Sequence, residues 1–211
     1  MVTSPTAVQR KTRADGERTR GLILDTAVRL ATVEGLDGLS IGTLAGATGV
    51  SKSGLYAHFG SKEQLQLATV ETARRMFIEQ VVAPALQTTG LDRLRALCES
   101  FLRYVERRTL PGGCFFAAAA AELGGRPGPV RELIAANQED WIQLLTAAAE
   151  DAIAAGQLRR ETDVAVLVFE LNALVVAANT AFILHDNPAV IDRARAAVAR
   201  ALAVDAPDAD R

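Results

Sequence analysis

The chain has 211 residues, of which 49% are hydrophobic and 5% are aromatic. This length accommodates one large or two small domains, and the composition is typical of a soluble helical protein with few strands. The net charge of −2 by itself argues against nucleic acid, but residues 1–62 hold eight Lys or Arg against five Asp or Glu. The basic excess is local, so a nucleic-acid contact is expected in this first part of the chain.

The N-terminal segment divides into an arm and a helix. Residues 1–15 lack apolar periodicity, which predicts a disordered basic arm that either reaches into a DNA groove or is a solvated tail. From Arg18 to Glu34 apolar residues recur at helical spacing, with Ile23 and Ala27 facing inward. Gly35 then ends the predicted helix.

Two short helices joined by a sharp turn are predicted between residues 39 and 62. Ser40 is a good N-cap for the first helix, which runs to Ala47. Gly49 supplies the turn before the second helix, which begins near Lys52. The arrangement predicts a helix-turn-helix.

The second of these helices has one apolar face and one small polar face. Leu55 and Phe59, four residues apart, share the inward face. The outward face carries Ser53, Gly54 and Ala57. A helix with such a low outer surface can approach the major groove of DNA closely.

A third signal lies at the start of the next helix. Ser61 and Gln64 fit a capping box, with Ser61 as N-cap and Gln64 reaching back to it. Free backbone N–H groups at a helix start attract anions, and Lys62 adds a positive charge beside them. We therefore expect a DNA phosphate to bind here.

Four motifs occur together in this region: Leu44-Ala45, Gly49-Val50-Ser51, Leu55-Tyr56-Ala57-His58-Phe59 and Ser61-Lys62-Glu63-Gln64-Leu65. Their combination resembles the DNA-binding domain of the TetR family of bacterial transcriptional regulators. A lone helix-turn-helix pattern is weak, whereas the whole combination is specific.

The resemblance implies that the helix from Lys52 to Phe59 enters the major groove. It assigns base contacts to Lys52, Ser53 and Gly54, phosphate contacts to Tyr56, His58 and Lys62, and contacts near the DNA backbone to Ser40 and Thr43. Gly42 stands where family members often carry a longer polar or basic residue. The operator sequence therefore does not follow from relatives.

The rest of the chain predicts a second, larger helical domain, so the fold class is all-α. Its predicted helices cover residues 61–82, 91–107, a stretch opened by Cys114, 129–156, 162–184 and 188–203. The predicted organisation is an arm at 1–15, a helix-turn-helix domain at 16–62, and a ligand-binding and dimerisation domain at 63–211. The helix from residue 61 begins at the DNA and ends inside the second domain, which makes it a mechanical link.

Aromatic residues and a few amides on the helices of the second domain have the composition of a ligand pocket. The resemblance also implies that a small-molecule effector binds there, although aromatic residues at helical spacing more often belong to an ordinary core. The candidates are Phe101, Tyr104, Phe115, Phe116, Asn137, Trp141, Phe169, Asn172 and Asn179.

The last two predicted helices are rich in apolar residues, which favours a two-fold dimer through a four-helix interface. The candidate interface residues are Leu174, Ala178, Phe182, Ile191, Ala194 and Val198. Glu170, Asn172 and Asn179 interrupt the apolar run, so we expect a buried helix and no membrane span.

Other classes of function have little support in the sequence. The chain has two histidines and no metal-ligand spacing or nucleophile motif, so we expect neither an enzyme nor a metal or other cofactor. Two cysteines and no secretion signal predict a cytoplasmic protein with buried thiols, with a redox role as the alternative. A ligand-independent DNA-binding protein, and a small-molecule binding module whose helix-turn-helix contacts protein, remain open as alternative functions.

Overall fold

Every regular element in the described part of the chain is helical. The computed structural model describes residues 7–204, with side chains from 15 to 203. The helices are α1 (Ala7–Glu34), α2 (Ile41–Thr48), α3 (Lys52–Phe59), α4 (Lys62–Phe77), α5 (Ala83–Ala85), α6 (Gly90–Glu106), α7 (Phe115–Leu123), α8 (Pro129–Ala154), α9 (Val164–His185) and α10 (Ala189–Val204). A π-helical turn, Ile78–Val82, joins α4 to α5. The predicted all-α fold is confirmed.

The first three helices and the start of α4 form a small head domain around one apolar centre. Ile23 and Ala27 of α1 are fully buried, as their spacing predicts, and they pack with Leu44 of α2 and Leu55 of α3. Gly49 has a φ of 70°, so it forms the tight turn between α2 and α3 at no steric cost. The helix-turn-helix is thus held by the residues whose periodicity predicts it.

The start of α1 differs from the sequence-based expectation. The helix begins at Ala7 and not near Arg18, so residues 7–15 of the predicted disordered arm are helical. Ala, Gln, Arg and Lys in this stretch have high helix propensity, and α1 extends through them without an apolar face of its own. Residues 1–6 of the arm lie outside the described part of the chain.

The second domain packs α6, α8, α9 and α10 against one another, while α7 lies between α1 and α8. Arg195 of α10 fixes the last helix to α6, since its guanidinium lies 2.7 Å from a carboxylate oxygen of Glu106 and 3.1 Å from one of Glu99. Hydrogen bonding to Arg195 lowers the pKa of Glu106. The pair therefore stays ionised at neutral pH, and its contribution to stability is lost only as the pH falls through the lowered pKa.

Helix α9 is the most apolar helix, and only one of its faces packs against this chain. By length and composition alone it is long and apolar enough to cross a membrane, yet it packs against α6, α8 and α10. The opposite face leaves Val166, Phe169 and Leu184 exposed by 61%, 74% and 73%. The expectation of a fully buried helix is therefore wrong for that face.

The candidate dimer residues lie on the faces of α9 and α10 that pack inside the single chain. Leu174 is half-buried against the core, and five others are buried inside a single chain: Ala178, Phe182, Ile191, Ala194 and Val198. Because α9 is apolar on both faces, helical periodicity alone does not distinguish the face that packs on the core from the face left for a partner.

Candidate DNA interface and effector cavity

The start of α2 is organised by two hydroxyl groups. The backbone N–H of Thr43 donates to Oγ of Ser40 over 3.0 Å, and the hydroxyls of Ser40 and Thr43 lie 2.7 Å apart. This is the predicted N-cap, and it leaves both side chains at the outer edge of the head domain. An added Cβ at Gly42 would meet only the Ser40 hydroxyl, at 3.6 Å, so the glycine leaves open space here.

Helix α3 presents part of the predicted recognition surface. Ser51 caps the helix by accepting from the Gly54 backbone N–H over 3.1 Å, and Lys52 and Ser53 are exposed. Gly54 is half-buried, and its neighbours lie close, since an added Cβ would be 3.1 Å from Cγ1 of Val50 and 3.2 Å from Oγ of Ser51. The position of Gly54 therefore gives close packing at the helix start. Lys52 and Ser53 lie on the exposed side of this start, where the hydroxyls of Ser53 and Ser51 are 3.2 Å apart.

The C-terminal half of α3 is anchored by a basic residue near the start of the predicted first helix. Arg20 of α1 donates to the His58 carbonyl oxygen over 2.7 Å, and its guanidinium carbon lies 4.5 Å from the Phe59 ring centroid. Tyr56 is 57% exposed and His58 is half-buried. Arg20 thus fixes α3 to α1. Arg20 lies three residues before the inward-facing Ile23, and residues at this spacing share one face of a helix, so the sequence pattern could have indicated that Arg20 faces the head domain.

Only one of the two hydrogen bonds of the predicted capping box is formed at the start of α4. The backbone N–H of Gln64 donates to Oγ of Ser61 over 3.1 Å. The reciprocal bond, from the Ser61 backbone N–H to the side-chain oxygen of Gln64, is not made, because that N–H donates to the Phe59 carbonyl oxygen over 2.8 Å. The expectation of a complete capping box is therefore wrong, although the N-cap itself is present.

Lys62 is exposed but it is paired. Its Nζ donates to Oδ1 of Asp37 over 3.0 Å and to the Asp37 carbonyl oxygen over 2.6 Å. Arg126, in the loop before α8, holds Oδ2 of the same carboxylate over 2.6 Å. Hydrogen bonds from Lys62 and then Arg126 lower the pKa of Asp37, so the carboxylate stays ionised at neutral pH.

The two domains meet at the turn between α1 and α2. Glu122 of α7 accepts from the backbone N–H groups of Leu36, over 2.7 Å, and Asp37, over 2.8 Å. Gly35, with a φ of 83°, lets the turn lie against this carboxylate, since an added Cβ would approach Oε1 of Glu122 to 2.9 Å. One end of α7 is therefore tied to the head domain.

Two neighbouring cavities lie in the second domain. The inner cavity has a volume of about 220 Å³ and reaches Phe101, Ala120 and Asn172, whereas the outer cavity has about 430 Å³ and is bordered by Arg74 and Asp140. Both are lined by Phe77, Phe116, Asn137 and Trp141. Both volumes lie within or just below the range of small-molecule sites.

Phe77 occupies the centre of the aromatic wall that both cavities share. Its ring centroid lies 5.4 Å from that of Trp141, 5.9 Å from that of Phe116 and 6.1 Å from that of Phe101, in edge-to-face or nearly perpendicular arrangements. Phe77 is also the last residue of α4, directly before the π-helical turn, a structure frequent at functional sites. The helix that begins at Lys62 therefore ends in the cavity wall.

The structure brings five of the nine candidate ligand residues to the inner cavity: Phe101, Phe116, Asn137, Trp141 and Asn172. The other four belong elsewhere. Tyr104 and Phe115 are buried in the core, Asn179 accepts from the Cys114 backbone N–H over 2.8 Å, and Phe169 is exposed on α9. Phe77 was not predicted from the sequence as a cavity residue, because α4 was predicted only as a link between the domains. Arg74 and Asp140 were not predicted either, because charged residues on a helix usually indicate a solvated face.

Both thiols are buried among apolar groups. Burial raises the pKa of Cys98 to about 12 and that of Cys114 to about 11, so both stay protonated at neutral pH. Cys114 lines the inner cavity as a small apolar side chain. Among the residues with described positions, no group of three or more His, Cys, Asp or Glu is arranged to hold a metal ion.

A helix-turn-helix head with an exposed recognition helix, connected by one helix to a larger domain with cavities, defines a DNA-binding transcriptional regulator. The chain belongs to the TetR family. The profile described as bacterial regulatory proteins, tetR family, matches residues 23–69, and the one described as tetracyclin repressor-like, C-terminal domain, matches residues 90–198.

Curated relatives match parts of the chain. The HTH-type transcriptional regulator AcrR of Shigella flexneri is 41% identical over 56 residues, which is 26% of either chain. The HTH-type transcriptional activator FasR of Mycolicibacterium smegmatis is 33% identical over 100 residues, 46% of this chain and 45% of FasR. The matches thus span less than half the length of these curated relatives.

Solved structures match nearly the whole chain. A TetR transcriptional regulator from Chloroflexus aurantiacus is 27% identical with a TM-score of 0.85, covering 92% of this chain and 98% of that one. AibR, solved with isovaleryl coenzyme A and operator DNA, is 25% identical with a TM-score of 0.67, covering 84% and 96%.

Proposed function

We propose that this regulator is a repressor that binds a near-palindromic operator as a two-fold dimer and is released by a small-molecule effector. One observation carries the proposal: α4 has Lys62 at its start, beside the recognition helix, and Phe77 at its end, in the wall of both cavities. A ligand that favours another position of Phe77 changes the position of α4 and of the head domain. The coupling is limited to the ligand's difference in affinity for the two arrangements.

The DNA contacts follow from exposure and charge in the head domain. We assign base-edge contacts to Lys52 and Ser53, which are exposed on α3, and phosphate contacts to Tyr56, His58 and Lys62. Ser40 and Thr43 lie at the start of α2, where their hydroxyls border the same outer surface. AibR, to which the chain is similar, was solved with operator DNA, and this similarity supports the assignment.

The dimer interface that we propose uses the outer face of α9 together with α10. Val166, Phe169 and Leu184 form an exposed apolar stripe along α9, and Ala173 and Ala177 between them are small and exposed, which lets a second helix approach closely. A two-fold dimer presents two recognition helices about 34–36 Å apart, one turn of DNA. Since operator DNA of a bacterial regulator lies in the cytoplasm, the proposal places the protein there.

The proposal is tested by selecting bound fragments from a random DNA library and measuring affinity for the selected site by fluorescence anisotropy. We expect a palindromic site bound at least 10³-fold more tightly than random DNA at physiological salt, the lower end for specific regulators. Equal affinity for selected and random DNA would refute sequence-specific regulation. Specific binding that no member of a broad metabolite panel changes would instead favour a ligand-independent regulator.

A further inference from the structure

The inner cavity offers no charge to a ligand. Its wall, within the described part of the chain, consists of apolar, aromatic and amide side chains and the Cys114 thiol. Two charged groups, Arg74 and Asp140, border the outer cavity but not the inner one, and they pair with each other over 3.0 Å. A carboxylate or an ammonium group that enters the inner cavity would therefore lose its hydration without gaining a counter-ion, which is costly.

The orientation of the Asn172 amide is fixed by its partner. The Trp141 indole Nε1–H, which can only donate, lies 3.0 Å from Oδ1 of Asn172. The oxygen must therefore face the indole, and the NH₂ group of Asn172 is the part left to donate to a ligand. Asn172 and Trp141 both line the inner cavity.

Asn137 offers the complementary group. Its Nδ2 donates to the Leu133 carbonyl oxygen over 2.7 Å, and because that oxygen can only accept, the orientation of this amide is fixed too. The side-chain oxygen of Asn137 is left to accept a hydrogen bond. The inner cavity therefore offers a donor at the Asn172 NH₂ group and acceptors at the side-chain oxygens of Asn137 and Gln138, since Nε2 of Gln138 donates to the Phe116 carbonyl oxygen over 3.5 Å.

The size of the inner cavity limits the ligand further. An engineered apolar cavity of about 150 Å³ binds benzene, so about 220 Å³ accommodates one aromatic ring with a short substituent. The rings of Phe77, Phe101 and Trp141 stand around this space, and perpendicular or offset contacts with a further ring are the favoured geometry.

We propose that the effector is an uncharged compound whose single aromatic ring enters the inner cavity and carries a group that both donates and accepts a hydrogen bond, such as a hydroxyl or a primary amide. This inference rests on the proposed function, because it names the ligand class for the site through which release occurs. Asn172 donates to the polar group and Asn137 accepts from it. A longer substituent extends past Phe77 into the outer cavity, beside the Arg74 and Asp140 pair.

The test compares four probes of similar size by calorimetry on the full chain at pH 7: 4-ethylphenol, 4-ethyltoluene, the 4-ethylbenzoate anion and the 4-ethylbenzylammonium cation. We expect 4-ethylphenol to bind at least tenfold more tightly than either charged probe. Asn172→Leu should weaken 4-ethylphenol about tenfold relative to 4-ethyltoluene, because one hydrogen bond to the ligand is lost. The Trp141 N–H loses its acceptor in this variant whichever probe is bound, so the comparison between the two neutral probes isolates the ligand contact. Equal or tighter binding of a charged probe, or equal weakening of both neutral probes, would overturn the proposal.

A pair of variants on α7 controls for folding. Ala120→Leu fills the inner cavity, which Ala120 lines, whereas Ala121→Leu adds the same bulk at an exposed position of the same helix. Binding of 4-ethylphenol should be lost in the first and kept in the second. If no probe binds while the chain still binds its operator, the ligand class is wrong and the regulator assignment stands. If the unliganded wild-type chain does not bind an operator at all, the proposed function is refuted instead.

Discussion

Asp37 holds Lys62 through two hydrogen bonds, from Nζ to its side-chain oxygen over 3.0 Å and to its carbonyl oxygen over 2.6 Å. A DNA phosphate at the start of α4 must therefore compete with this carboxylate for the same ammonium group. Arg126 of the second domain pairs with the carboxylate as well, so the strength of the competition depends on the contact between the domains.

Asp37→Asn should strengthen binding to operator and to random DNA alike, because Lys62 then meets phosphate without a competing charge. We expect the gain to be a few-fold and to shrink with added salt, since the pair is exposed and screened. Anisotropy titrations at several salt concentrations measure it. Asp25→Asn, at an exposed α1 position, makes the same change in net charge; an equal gain there would show that Lys62 is not the cause.

The contacts of Asp37 illustrate which structural features can be predicted from the sequence and which cannot. Ser40, Gly49 and Leu55 act through neighbours within a few residues, so their roles follow from local pattern. The Lys62 pair joins positions 25 residues apart, and the Glu122 contact joins positions 86 apart. No helical period predicts such contacts. Sequence periodicity also does not predict which of the two apolar faces of α9 is buried, because this depends on the packing of α6, α8 and α10.

Lys62→Ala and Ser53→Ala should separate phosphate contact from base reading. Loss of Lys62 removes a sequence-independent charge contact, so it should weaken all DNA and reduce the salt dependence of the affinity by about one counter-ion. Loss of the Ser53 hydroxyl should change preference at single base positions, at a cost of about 1–3 kcal/mol per lost good contact. Affinities for the operator and its single-base variants measure both; equal loss on operator and random DNA for Ser53→Ala would exclude base reading by this side chain.

Glu122→Ala should weaken the connection between the domains. The backbone N–H groups of Leu36 and Asp37 would lose their acceptor. The Leu36 bond is part-buried, so its loss should cost about 1–3 kcal/mol, whereas the exposed Asp37 N–H can bind water instead. Chemical denaturation should show this loss, and effector should release less operator. Glu150→Ala, at an exposed position on α8, removes a carboxylate without these contacts. Unchanged stability and unchanged release in Glu122→Ala would show that the contact does not couple the domains.

Both cysteines should resist alkylation in the folded chain. The thiolate is the reactive species, and raising the pKa of Cys98 to about 12 and that of Cys114 to about 11 leaves almost none of it at pH 8. The rate should rise only as the pH approaches these values, and burial slows it further. Thiol titration with a colorimetric disulfide should detect two thiols in denaturant and none at early times in buffer. A thiol that reacts rapidly in the folded chain would instead support a redox role for that cysteine.

Phe169→Glu should dissociate the proposed dimer. The side chain is 74% exposed in the single chain, so the change costs a monomer little, but in the interface it would bury a carboxylate without a partner. Sedimentation at micromolar concentration should then show monomers. Operator affinity should fall, because each half-site would be bound by an independent head domain. Leu86→Glu is the matched control, since Leu86 is 47% exposed and lies outside α9 and α10. It should remain a dimer with unchanged operator affinity. A Phe169→Glu protein that stays dimeric would place the interface on another surface, and the two recognition helices would then need a different spacing.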